Sequence, residues 1–181
     1  MLKEFLLPAL TVGLSEFGDK TQLAVLSFSS KFRNKAALFA AVMLAFVIVD
    51  GLAVLFGSVA SKIIPFGIIK IAAGISFIAF GAYTLIMNSE ESFDKKGRAA
   101  FLSVLGMIIM LEMGDKSQLV TILFAAEYSP LLVFLGVEAA LALLTAAAII
   151  VGEQLGRHLK PETIKYASGI LFIAVGIISL V

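Results

Sequence analysis

Glu16-Phe17-Gly18-Asp19-Lys20-Thr21-Gln22-Leu23 and Glu112-Met113-Gly114-Asp115-Lys116-Ser117-Gln118-Leu119 are two copies of one signature, 96 positions apart. Each copy lies inside a strongly apolar stretch. Two carboxylates and an ammonium in such a segment cost on the order of several kcal/mol in a bilayer. Charge of this kind is retained where it faces a bundle interior or an ion path. Its recurrence at matching positions of two halves points to a paired binding site for a cation.

The rest of the chain agrees with a membrane setting. Its 181 residues are 60% hydrophobic and 15% charged, with a mean hydropathy of +1.06. This is not the balance of an ordinary soluble domain. Residues 36–49, 68–87, 131–137, 139–151 and 169–181 carry almost no charge. A spanning helix needs about 20 apolar residues, and six windows qualify: 5–29, 36–60, 66–87, 99–126, 131–151 and 163–181. The expectation is an all-α integral membrane protein of six transmembrane helices, with no soluble catalytic or nucleotide-binding domain. No glycine-rich phosphate loop is present, so neither an enzyme nor an ATPase is expected, and ion gradients would have to drive any transport. Glu16 and Asp19 interrupt the first apolar run and no small-residue cleavage site follows, so residues 5–29 read as a retained span. The absence of cysteine excludes disulfides and thiolate metal sites. A formal charge of +1 favours no polyanionic partner, nucleic acid included.

Basic residues set the expected orientation. Lys31, Arg33, Lys35, Lys95, Lys96, Arg98, Arg157, Lys160 and Lys165 follow spans one, three and five, against Lys3, Lys62 and Lys70 on the other side. By the positive-inside rule the first set is cytoplasmic and both termini face outside. The repeat also extends beyond the signature. Gly57, Lys70, Gly74, Phe77-Ile78-Ala79 and Gly81 recur as Gly152, Lys165, Gly169, Phe172-Ile173-Ala174 and Gly176. Residues 1–88 and 99–181 thus form two three-helix repeats joined by a polar linker, 89–98. Three spans per half is odd, so the repeats should insert with opposite orientation, which places a substrate site at the midplane where they meet. Gly67, Gly74 and Gly81, seven residues apart, read as a helix-packing face. Pro65 and Pro161 read as helix starts.

Within each signature, Glu and Asp are three residues apart and would share a face of a continuous helix, with Lys at i+4 from Glu on the same side. Gly18 and Gly114 make a local break easier, and a break would expose backbone carbonyls as further ligands. Glu16, Asp19, Glu112 and Asp115 are the expected metal ligands. Lys20, Thr21, Gln22, Lys116, Ser117 and Gln118 would support them. Oxygen-only ligation selects hard divalent cations such as Ca²⁺, Mn²⁺ or Mg²⁺. The single histidine, His158, falls in a loop and reads as a surface residue. Four acids less two lysines leave two negative charges, the complement of one divalent ion. On its departure, protons would replace the cation, or the lysines would swing in as internal counter-ions. Two further acids are not duplicated: Asp50, whose repeat partner is Thr145, and Glu138, whose partner is Met43. Asp50 is a candidate proton relay or extra ligand. Glu138, seven residues before Thr145, shares that side of its span, with burial between helices or a place near the outer interface as the alternatives.

At these residues the chain resembles the manganese/calcium–proton antiporters of the Golgi and chloroplast and the related bacterial manganese exporters. That family carries two copies of E-x-G-D-[KR]-[ST], and Glu16, Gly18, Asp19, Lys20, Thr21 and Glu112, Gly114, Asp115, Lys116, Ser117 match every defined position. The resemblance covers essentially the whole chain. It implies export of Mn²⁺, or exchange of Ca²⁺ or Mn²⁺ for protons, with the four acids as ligands; it carries nothing over to Asp50. No cofactor is expected, and the partners are the ion, protons and the lipid bilayer, with a homo-oligomer left open. The lack of an organellar targeting segment fits a prokaryotic plasma membrane. The rival function is export of small amino acids or other organic cations, which four acids without an aromatic cage fit less well.

Overall fold

The computed structural model describes residues 1–63, 97–113, 115–158 and 161–180, together with residues 71, 75, 78, 79, 81, 82, 85 and 86. Seven helices are delimited among the described residues, and no strand. They are α1 (Leu2–Glu16), α2 (Lys20–Lys31), α3 (Lys35–Ile63), α4 (Gly97–Glu112), α5 (Lys116–Glu127), α6 (Pro130–His158) and α7 (Pro161–Leu180). Five of the six apolar windows fall on these elements. The first and fourth are each two half-helices broken at the signature, α1–α2 and α4–α5. By length and composition, Lys35–Leu55 of α3 and Pro130–Leu155 of α6 are long and apolar enough to cross a membrane. Most of the third window, with Pro65, Gly67 and Gly74, lies outside the described residues, as do positions 89–96 of the linker. Pro161 opens α7 as its sequence position suggests.

The broken helices of one half pack on the long helix of the other. The α1–α2 pair lies against α6, and α4 and α5 lie against α3. Direction is fixed along α6: a Cβ on Gly136 would collide with the Phe5 carbonyl, one on Gly13 would sit 3.4 Å from Ala140, and one on Gly152 would collide with the Leu26 carbonyl. The Ser29 hydroxyl donates to the Ile149 carbonyl at 2.6 Å. Chain numbers rise together, so α6 runs the same way as α1–α2. These approaches bring backbone against backbone, and glycine permits them because it has no side chain to keep the helices apart. Gly81 meets α7 in the same manner, its Cβ position 2.7 Å from the Gly169 carbonyl oxygen.

The core follows the helical period. Leu38, Ala41, Val42, Ala45 and Phe46 of α3 are buried with Val104, Ile108 and Leu111 of α4 and Val133, Val137 and Leu141 of α6. The opposite faces are apolar too. Leu2, Leu6, Leu10 and Leu14 form an exposed stripe four residues apart on α1, and Leu131, Leu135 and, eight residues on, Leu143 are exposed on α6. Helices apolar on both the buried and the outward side suit a lipid surround. At the end of α2, Lys35 donates to the carbonyls of Phe32 and Ser29. A cation there satisfies open carbonyls and complements the negative end of the helix.

Candidate cation site

The two signatures fold into the same local device. α1 ends at Glu16 and α2 starts at Lys20, with Asp19 between them as an extended N-cap residue (φ −72°, ψ 170°). α4 ends at Glu112 and α5 starts at Lys116, with Asp115 in the same conformation (φ −76°, ψ 165°). The Asp19 amide bonds the Glu16 carbonyl, and the Asp115 amide the Glu112 carbonyl, each at 3.1 Å. In the first copy Gly18 makes the turn with φ +77°, a left-handed conformation that favours glycine. The Gly18 amide donates to Gln22 Oε1 at 3.3 Å. Gly114 lies outside the described residues. The expected interruption of each span at its signature is found, and Glu and Asp do not share a continuous helical face: Glu ends one helix and Asp opens the next.

This geometry turns each signature toward the other. The Thr21 hydroxyl donates to Glu112 Oε1, and the Ser117 hydroxyl hydrogen-bonds the Glu16 carboxylate. Each half thus supplies the donor for the other half's buried glutamate. Glu16 is 2% exposed and Glu112 4%, so these bonds offset part of the cost of burying a carboxylate. Lys20 Nζ crosses to Asp115 Oδ1 at 2.6 Å. The Lys116 side chain is outside the described residues.

Neither Asp19 nor Asp115 spends its side chain on capping its helix, although aspartate at an N-cap ordinarily does so. Instead one carboxylate oxygen each from Glu16, Asp19 and Asp115 lies within 4.8 Å of the others. Oxygens around a hard divalent ion sit about 2.3–2.6 Å from it for calcium, so three oxygens at this spacing can share one. Glu112 stands outside that group, held by Thr21. Two helix C-termini and two helix N-termini converge here, so open carbonyls and amide dipoles add to the field. A narrow cavity beside the acids is lined by Glu16, Thr21, Gln22 and Val25, with Phe46 of α3 and Leu141, Leu144 and Thr145 of α6. Gln118 is half-buried on α5.

The unduplicated acids are close by. Asp50, 5% exposed, sits on α3 one turn beyond Phe46 and is not among the cavity's lining residues. It is an electrostatic neighbour of both Glu112 and Glu138. Glu138 of α6 is buried between helices. His158 is exposed at the end of α6, its Nδ1 beside the Gln154 carbonyl. One hydroxyl escaped the sequence reading as part of the site: Thr145, read there as the repeat partner of Asp50, lines the cavity.

Residues 4–92 and 100–181 match the family model of the divalent cation/proton antiporter GDT1. A putative manganese exporter of Vibrio cholerae is 29% identical over 168 residues, covering 90% of this chain and 83% of its own. GDT1-like protein 5 of Oryza sativa is 27% identical over 94% of this chain and 90% of its own. The chloroplastic protein PAM71 of Arabidopsis thaliana is 29% identical over 91% of this chain and 53% of its own. No solved structure matches the chain. With both signatures intact and both halves matched, the chain belongs to the divalent cation/proton antiporter GDT1 family.

Proposed function

We propose that the chain exports Mn²⁺, and accepts Ca²⁺ at the same site, in exchange for protons. Two inverted repeats, residues 1–88 and 99–181, would share one midplane site in a plasma membrane with both termini outside. The observation that carries this reading is the cross-half grouping of Glu16, Asp19 and Asp115 carboxylate oxygens within 4.8 Å. Glu112 adds the fourth negative charge, and Lys20 and Lys116 leave a net of two for a divalent ion. Thr21, Gln22, Ser117 and Gln118 supply neutral oxygens and orient the acids. The relationship to a putative manganese exporter supports Mn²⁺ as the first substrate to test.

Protons and the cation compete for the same negative charge, so lowering the pH should weaken apparent Mn²⁺ affinity. Proteoliposomes loaded with a pH dye test the exchange. Adding Mn²⁺ should move protons, and Glu16→Gln or Asp115→Asn should abolish the signal. Undiminished Mn²⁺ flux in both variants would remove the proposed site.

A further inference from the structure

The shared cation site leaves one acid unaccounted for. Glu138 is 9% exposed, and among the described residues neither of its carboxylate oxygens has a hydrogen-bond partner. Glu16 and Glu112, in contrast, each receive a hydroxyl from the opposite half. An ionised carboxylate with no donor in a low-dielectric interior is strongly disfavoured, and one proton removes its charge. α6 packs against α1, α2, α3 and α5. These elements carry Lys3, Glu4, Glu16, Lys20, Lys31, Lys35, Asp50, Lys62, Lys116 and Glu127, and Asp19 precedes α2. Among the described residues, Asp50 on α3 is the charged group whose field reaches Glu138. Asp50 in turn acts on Glu112 at the edge of the cation site.

We infer that Glu138, with Asp50 beside it, is a proton-binding site separate from the cation ligands, and that Asp50 links the two electrostatically. This rests on the antiport reading above. The cation ligands are duplicated, but Asp50 and Glu138 stand opposite Thr145 and Met43 in the repeat, so the proton site exists once. Its place between α3 and α6 lets one residue from each half contribute. With no cation bound, the Glu138 carboxyl keeps its O–H bond. A divalent cation arriving among Glu16, Asp19, Glu112 and Asp115 brings positive charge that favours the ionised forms of the acids nearby. The O–H bond of Glu138 then breaks, the carboxylate keeps the electron pair, and the proton passes to water. Departure of the cation reverses the step.

Infrared difference spectroscopy on purified, metal-free protein tests this directly. Titration of the wild type should show a carboxylic-acid C=O band that disappears in Glu138→Gln and returns, shifted, in Glu138→Asp. Mn²⁺ should bleach the band in the wild type. By calorimetry, Glu138→Gln should bind Mn²⁺ within about threefold of wild type, while Glu16→Gln loses at least about 30-fold, roughly 2 kcal/mol. Identical spectra in wild type and Glu138→Gln would overturn the assignment. So would a band indifferent to bound Mn²⁺, or a loss of Mn²⁺ affinity in Glu138→Gln equal to that of Glu16→Gln. If the wild type bound no Mn²⁺ at all, the antiport reading would fail, while the band would still report whether Glu138 holds a proton.

Discussion

Lys20 illustrates how a residue's role depends on the other half of the chain. Its ammonium donates to Asp115 at 2.6 Å, with the two side chains 18% and 14% exposed. Spacing alone placed Lys20 near Glu16 of its own signature. The break after Glu16 re-aims it at the opposite copy, and no local pattern encodes that partner. An ammonium on one of three clustered carboxylates competes with an incoming cation for the same charge. Lys20→Ala should therefore tighten Mn²⁺ binding about tenfold, about 1.4 kcal/mol, and slow turnover because the ion leaves a more negative site. Calorimetry and proteoliposome flux measure the two effects separately. Wild-type affinity together with wild-type turnover would show that Lys20 is not a counter-ion to the site. The types of the site residues were legible in the sequence, but their pairing was not: the hydroxyl of each half serves the glutamate of the other.

Among the elements, the break between α1 and α2 decides where the acids point. Gly18 adopts φ +77°, and an added Cβ would meet nothing within 4 Å. Its requirement for glycine is thus conformational rather than steric. Gly18→Ala should cost about 1–2 kcal/mol, the penalty of a left-handed residue with a Cβ. Gly18→Asn should cost less, because asparagine tolerates that region. Thermal unfolding of purified protein would rank wild type above Asn and Asn above Ala, with Mn²⁺ affinity following the same order. Equal stability of Ala and wild type would mean that the break does not rely on the left-handed turn. Composition was enough to locate the apolar windows, since runs such as 36–60 and 131–151 carry a single charge each, Asp50 and Glu138. Glu, Asp and Lys at helical spacing fit a continuous helix equally well, and it is the glycine before each Asp that points to a broken one. Thr145 was missed for a related reason: an isolated hydroxyl in an apolar helix shows its role only when a neighbouring helix brings it to a site.

At the scale of the molecule, the packing is reciprocal. The broken helices α1–α2 lie on α6, and α4 and α5 lie on α3, with α6 running in the same direction as α1–α2. If each half crosses the membrane three times, as proposed above, inverted repeats would give this parallel packing of the first span of one repeat on the second span of the other. The chain has no cysteine, so a single introduced thiol reports its own side of the membrane. Ala36, in the first turn of α3, and Ala126, in the last turn of α5, are both exposed, and Ala→Cys disturbs neither a charge nor a core contact. Inverted repeats put Ala36 on the cytoplasmic side and Ala126 on the outer side. A membrane-impermeant maleimide applied to intact cells should label Ala126→Cys and spare Ala36→Cys, and inside-out vesicles should reverse the pattern. Labelling of both from one side would mean that the halves insert in parallel. The two signatures would then enter from the same face, and a single midplane site shared by opposed half-helices could not form.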